Sequence, residues 1–188
     1  SFPWFKSYPD AIPHEIKLNE YNSVVHLFDE SCKKYSNKIA FENMGVRLTY
    51  AEVDRLSRDF GAYLQTELGL KKGERIAIQM PNLLQFPIAF FGALRAGLIV
   101  VNTNPLYTPR EMEHQFKDSG AVAIVIVANF ASNLERIIGY TQIRHVIVTG
   151  LGDMLGAVKG AIVNFVVRNV KKMVPVYHLP KALSFKAA

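Results

Sequence analysis

The sequence predicts an α/β fold: a mostly parallel sheet with helices on both faces. Four short apolar runs alternate with segments of helical periodicity, which is the pattern of successive βα units. The runs are continuously apolar, as expected for strands that are covered on both faces. These predicted strands are residues 75–80, 98–102, 122–128 and 144–148. The chain has 188 residues, which is long enough for one α/β domain over residues 1–188.

A helix and a hairpin precede these strands. Ser23 is followed by apolar residues that recur on one helical face: Val24, Val25, Phe28, Cys32 and Tyr35. Residues 39–50 contain two short alternating runs separated by Met44 and Gly45, which predicts a β-hairpin. Thr49 is followed three residues later by Glu52, the spacing of a capping box, so a second helix begins there.

Helices also separate the four strands from one another. The first covers residues 82–96, and its apolar run of about a dozen residues is short of the ~20 that cross a bilayer, which favours a buried helix. The second begins at Thr108, with Pro109 at its first position and Glu111 at its third. A short third helix is predicted over residues 129–139.

Charge and cysteine usage limit the kinds of partner. The net charge is +6 and the pI is about 9.4, which invites an anionic partner. The basic residues nevertheless come as scattered doublets without interleaved aromatic residues, so we predict no nucleic-acid partner. The single cysteine, Cys32, excludes an internal disulfide and fits a reducing compartment such as the cytoplasm. Its helical spacing with Val25 and Phe28 predicts a buried structural thiol.

Motifs that carry chemistry are missing from the sequence. There is no phosphate loop of the form G-x-x-x-x-G-K-[ST], and the five dispersed histidines lack the spacing of a zinc site. Residues 150–156, GLGDMLG, approach the dinucleotide-binding pattern G-x-G-x-x-G, but the third glycine comes one residue late. A dehydrogenase is therefore the weakest interpretation. We predict no catalytic, cofactor-binding or metal-binding residue on this chain.

The last segment, residues 151–174, is predicted as one amphipathic helix. Its apolar face is wide and consists of Leu151, Met154, Leu155, Val158, Ile162, Phe165, Val166, Val170 and Met173. Each large side chain left in water forgoes roughly 1.5–3 kcal/mol of burial, so we expect this face to bind another surface. The candidate interface or membrane-contact residues are Lys159, Phe165, Val166, Arg168, Lys171 and Lys172.

Three kinds of surface fit this predicted helix. In a longer protein its apolar face would pack on a downstream domain. In the isolated chain the same face would meet a second copy, which predicts a dimer or larger self-associated form. The third surface is the inner face of the cell membrane, where the cations of the helix would meet anionic lipid headgroups in a peripheral contact.

Two long segments resemble the acyl-adenylate-forming enzymes. Residues 48–82 contain an L-T-Y-x-E helix start and a strand that ends in M-P-N, and residues 94–121 contain an L-x-A-G helix end followed by an apolar strand and a proline-braced turn. The runs VVNTNPLYTPREMEHQ and GAIVNFVVRNVKKMVPVYHLP are similar to those of bacterial long-chain fatty acid–CoA ligases. The likeness extends over nearly the whole chain.

This resemblance implies the N-terminal subdomain of a larger enzyme. Members of the family use ATP and Mg²⁺ to adenylate a fatty acid and then transfer the acyl group to the thiol of coenzyme A. Their phosphate loop, their segment that binds Mg²⁺ and AMP, and their catalytic lysine all lie downstream of the matched region. We therefore expect the whole protein to act on a long-chain fatty acid. The isolated chain should be inactive and should bind none of ATP, Mg²⁺ or coenzyme A tightly.

An alternative comes from a different functional class. The chain would then be a stand-alone module that uses residues 151–174 to bind a membrane or a protein partner. The coding sequence that follows Ala188 distinguishes the two, because a ligase requires a phosphate loop in frame.

Overall fold

The structure, a computed structural model, describes residues 2–16 and 20–188. Along the chain, its helices and strands are α1 (Val24–Lys34), β1 (Ile39–Asn43), β2 (Val46–Thr49), α2 (Tyr50–Thr66), β3 (Arg75–Gln79), α3 (Gln85–Arg95), β4 (Ile99–Asn102), α4 (Pro109–Ser119), β5 (Ala123–Val127), α5 (Ala131–Ile137), β6 (His145–Thr149), α6 (Ala157–Phe165) and β7 (Leu183–Ser184). A π-helical turn over Val166–Val170 continues α6.

Strands β3 to β7 form one sheet in the order β4-β3-β5-β6-β7, and every neighbouring pair is parallel. The α/β class with a parallel sheet is therefore confirmed, and the four predicted strands correspond to β3 to β6. The sequence did not predict β7. Its two residues, Leu183 and Ser184, pair with Ile147 and Val148, and a run this short carries no periodicity.

Helices cover both faces of this sheet because successive side chains of a strand point to opposite faces. Ile124 and Ile126 of β5 belong to the buried cluster that contains Phe116 of α4. Val125, between them, belongs to the other buried cluster, which contains Phe60 of α2. Helices α1 to α3 thus cover one face and helices α4 and α5 the other, as the sequence predicts.

The β1–β2 hairpin is antiparallel and lies outside the main sheet. Both residues of its turn, Met44 and Gly45, have positive φ angles of 48° and 74°, which suit a two-residue hairpin. Thr49 follows as the N-cap of α2. Its hydroxyl accepts a hydrogen bond from the Glu52 backbone N–H, and the Glu52 carboxylate accepts one from the Thr49 N–H at 2.7 Å. The capping box therefore starts α2 directly at the end of the hairpin.

The segment that the sequence predicts as one helix, 151–174, is divided in the structure. Its first residues form a turn, helical backbone begins only after Gly156, and it ends at Val170. The carboxylate of Asp153 accounts for the turn, because it accepts a hydrogen bond from the Gly150 N–H at 2.7 Å. Gly156 then has a φ angle of 82°, outside the helical region.

Candidate functional site

The carboxyl edge of a parallel sheet is where α/β proteins bind ligands, at the point where the strand order reverses. Here that point lies between β3 and β5, since the chain runs from β3 to β4 on one side and then crosses to β5. Gln79, at the end of β3, is fully buried, and its amide nitrogen donates to the Asn104 carbonyl at 3.3 Å. Within residues 2–16 and 20–188, no group of three or more His, Cys, Asp or Glu could hold a metal ion.

A cavity of about 370 Å³ lies at the same edge, beside the ends of β5 and β6. Its polar lining includes Asn129, Asp153, Asn164, Arg168 and Tyr177. The Asn129 amide nitrogen donates to the Met173 carbonyl at 3.0 Å, and the Asn164 amide nitrogen donates to Asp153 at 2.8 Å. The Asn129 side-chain oxygen is buried without a partner in the described part of the chain. Asn164 and Asp153 thus bind each other across the cavity, and Asn129 binds the backbone at Met173, just beyond the α6 segment.

The small and polar side of α6 faces the turn that follows β6. Gly152 and Gly160 are in backbone contact, since a Cβ atom on Gly152 would lie 2.5 Å from the Gly160 carbonyl oxygen. One turn further along, Asn164 accepts a hydrogen bond from the Gly152 N–H at 2.8 Å. Lys159, one of the predicted interface residues, donates to the Met44 carbonyl in the hairpin turn. These contacts fix the rotation of α6 about its own axis.

The opposite side of α6 is apolar and exposed. Val158, Ile162 and Phe165 recur at helical spacing and are 75%, 58% and 60% exposed. Val170, at the end of the π-helical turn, and Met173, beyond it, are also more than half exposed. These five residues form the outer apolar face. A surface helix ordinarily turns its apolar stripe towards the core, so the amphipathicity of α6 is reversed.

The structure separates the other predicted interface residues. Phe165 lies on the outer apolar face, and Val166 beside it is half-buried. Lys171 and Lys172 are exposed where the helical backbone ends, and Lys172 has a left-handed backbone with φ of 52°. Arg168 lines the cavity behind α6, as Phe165 also does.

The charge of the chain is concentrated around this helix. Residues 1–153 hold 16 basic and 16 acidic residues, whereas residues 154–188 hold six basic residues and no acidic one. The whole net charge of +6 therefore resides in the last 35 residues. The scattered doublets of basic residues do not show this asymmetry, whereas a count of charge along the chain does. No helix in the described ranges is long and apolar enough to cross a membrane.

Cys32 lies on the buried face of α1. Burial raises the pKa of its thiol to about 11, so the thiol is protonated at neutral pH and is a poor nucleophile. This environment agrees with the structural role that its helical spacing predicts.

The AMP-binding enzyme family matches residues 28–176. The chain is 56% identical over 183 residues to a long-chain-fatty-acid–CoA ligase of Yersinia pestis, covering 97% of this chain and 33% of that protein. It is 55% identical to the ligase of the same name from Escherichia coli O157:H7, covering 98% and 33%. A third ligase of that name, from Bacillus subtilis, is 32% identical, with 81% and 27% covered. The chain thus spans about a third of the length of these curated relatives.

Solved structures support the same placement. An anthranilate CoA ligase in complex with anthranoyl-AMP superposes with a TM-score of 0.70 at 21% identity, over 89% of this chain and 27% of that one. A fatty acyl CoA synthetase of Mycobacterium tuberculosis superposes with a TM-score of 0.60 at 25% identity, over 67% and 26%. The first likeness concerns the fold alone, and the family match covers most of the chain. The chain belongs to the AMP-binding enzyme family.

Proposed function

We propose that the whole protein is a long-chain fatty acid–CoA ligase and that this chain forms its N-terminal α/β scaffold. The identity of 55–56% along 97–98% of the chain to proteins of that one name carries the proposal. In the first step, the fatty acid carboxylate attacks the α-phosphorus of ATP, which forms acyl-AMP and releases pyrophosphate. In the second step, the thiol of coenzyme A attacks the acyl carbonyl, and AMP leaves.

The chemistry of these steps belongs outside this chain. Mg²⁺ would accompany ATP, but the described residues do not fit a metal site, since no cluster of possible ligands occurs among them. The sheet edge at the switch point offers the buried amide of Gln79 rather than a titratable group. The contribution of this chain is therefore structural: it supplies the sheet and helices on which a further domain packs.

The proposal is tested by comparing the whole gene product with the 188-residue chain. Pyrophosphate release from ATP and acyl-CoA formation are measured with a long-chain fatty acid, with and without Mg²⁺. The whole protein should release pyrophosphate and form acyl-CoA. A coding sequence that stops directly after Ala188 would contradict the proposal and favour a stand-alone interaction module.

We further propose that the protein works in the cytoplasm and contacts the membrane peripherally. The free, buried Cys32 fits a reducing compartment such as the cytoplasm. The basic and apolar residues around α6 fit the anionic surface of a membrane. In the isolated chain without lipid, the outer apolar face would bring two copies together.

A further inference from the structure

The outer apolar face presents to solvent what a soluble helix normally buries. The Gly152–Gly160 contact and the Asn164 hydrogen bond hold the small side of α6 on the turn that follows β6. The apolar side chains cannot turn inward unless these contacts break. Phe165 and Ile162, at the centre of the face, therefore gain free energy from any apolar surface that removes them from water.

The segment that carries this face is basic. Residues 154–188 contain six cations and no acidic residue. Lys171 and Lys172 follow the helical backbone directly and are exposed. Their amino groups form no ion pair within residues 2–16 and 20–188. The surface thus combines an apolar centre with unneutralised cations at one end.

We propose that the outer apolar face, together with Lys171 and Lys172, docks α6 flat onto an anionic phospholipid bilayer. The layers of a bilayer match this arrangement, since acyl chains receive the apolar side chains and headgroup phosphates receive lysines at the ends of their long stems. α6 and its π-helical turn span residues 157–170, roughly 20 Å at 1.5 Å per residue. This segment is too short to cross the bilayer and lies in the interface.

A second copy of the chain is less complementary to this surface. A two-fold contact sets the same patch against itself, so it brings together two segments that carry only cations, Lys171 and Lys172 among them. The segment offers no acidic residue to neutralise them. Anionic lipid buries the same apolar side chains and pairs the cations, so it is the preferred occupant.

The docking surface is ordered before lipid arrives. Lys159 bonds to the Met44 carbonyl in the hairpin turn, and Asn164 bonds to both Gly152 and Asp153. Because the backbone is already held, docking requires little further ordering. The inference rests on the peripheral location proposed above but not on the ligase reaction. Vesicle binding is measured without turnover, so the failure of one proposal leaves the other standing.

The test is cosedimentation of the chain with vesicles of phosphatidylcholine alone and of phosphatidylcholine mixed with phosphatidylglycerol. Strong binding is expected only to the mixed vesicles. K171E/K172E should bind them at least about 30-fold more weakly, from roughly 1 kcal/mol per lysine. The matched control is K71E/K72E, which makes the same charge change at an exposed doublet elsewhere.

The apolar contribution is tested separately with I162E/F165E, against L106E/Y140E as a control at two other exposed apolar side chains. The first pair should abolish binding, and the control should leave most of it. Circular dichroism checks that each variant is folded, and the lysine variants change only exposed side chains. Equal binding to neutral vesicles would overturn the proposal. So would a K171E/K172E variant that binds as well as K71E/K72E, or a chain that self-associates but does not bind anionic vesicles.

Discussion

Arg95 of α3 donates to the carboxylate of Asp54 in α2 at 2.5 Å and to the hydroxyl of Ser57 at 2.7 Å, and it forms a second ion pair with Asp29 of α1. Its side chain is 11% exposed, against 64% for Arg58, which pairs with the same Asp54 from the solvent side. One guanidinium group therefore joins three helices on this face of the sheet.

Replacing Arg95 with methionine should lower the free energy of unfolding by roughly 2–3 kcal/mol, because it leaves Asp54 and Asp29 in partly buried positions without a cation. Urea denaturation measures the loss. Arg58→Met is the matched control, since an exposed ion pair contributes less than about 1 kcal/mol. Equal losses in the two variants would contradict the special role of Arg95.

The loss of unfolding free energy at acidic pH should depend on Asp54. Burial raises the pKa of this carboxyl, but its bonds to Arg95 and Arg58 outweigh burial and hold the pKa below the ordinary value of 3.8. A carboxyl with a lowered folded pKa contributes stability that is complete above its unfolded pKa and is lost as pH falls through its folded pKa. Below pH 3.8, Asp54→Asn should therefore lose less stability on further acidification than the parent chain. The exposed Asp59, replaced by asparagine, is the control, and identical losses at acidic pH in all three proteins would contradict this role.

Gly160→Ala should loosen the attachment of α6. An added Cβ atom would overlap the Gly152 carbonyl oxygen, and such overpacking costs about 1–3 kcal/mol. Hydrogen exchange should quicken at the amides of residues 157–170. Gly139→Ala is the control, because a Cβ atom there meets no heavy atom within 4 Å. Unchanged protection of α6 in Gly160→Ala would mean that the close backbone contact does not hold the helix.

Structural features that depend on residues close together in the sequence, such as helix caps, could be predicted. The capping boxes at Thr49 and Thr108 depend on a glutamate three residues later, and both are present. The start of α6 could not be predicted in this way. Leu151, Met154 and Leu155 have helical spacing, but the carboxylate of Asp153 accepts a hydrogen bond from the Gly150 N–H and holds a turn instead.

Only part of the candidate site could be predicted from the sequence. Its residues stand out by composition, and the absence of acidic residues after Asp153 is visible in the sequence alone. The side of α6 that faces inward is set by two contacts with Gly152, in the turn after β6. They come from Gly160 and Asn164, which are eight and twelve residues further along the chain. Helical periodicity identifies the apolar side of α6, but it does not say whether that side faces the core or the solvent.

The isolated chain should form no acyl-AMP. In the acyl-adenylate-forming enzymes that the sequence resembles, the phosphate loop and the catalytic lysine lie downstream of the matched region. Pyrophosphate release from ATP with a long-chain fatty acid is the measurement, and the whole gene product is the positive control. Turnover by a rigorously purified 188-residue chain would overthrow the assignment of the chemistry to the rest of the protein.

Without lipid, the chain should self-associate through the outer apolar face, and salt should reveal the forces involved. The apolar side chains draw two copies together, while the basic residues around them repel. Raising salt shortens the Debye length from about 10 Å at 0.1 M to about 3 Å at 1 M, so it should strengthen self-association and weaken vesicle binding. Sedimentation velocity across concentration and salt measures the first effect. F165E/V166E should be monomeric with the α/β core intact, and L106E/Y140E should associate as the parent does. A parent chain that stays monomeric at high concentration and high salt would contradict the prediction, because the exposed face would then have no measurable affinity for itself.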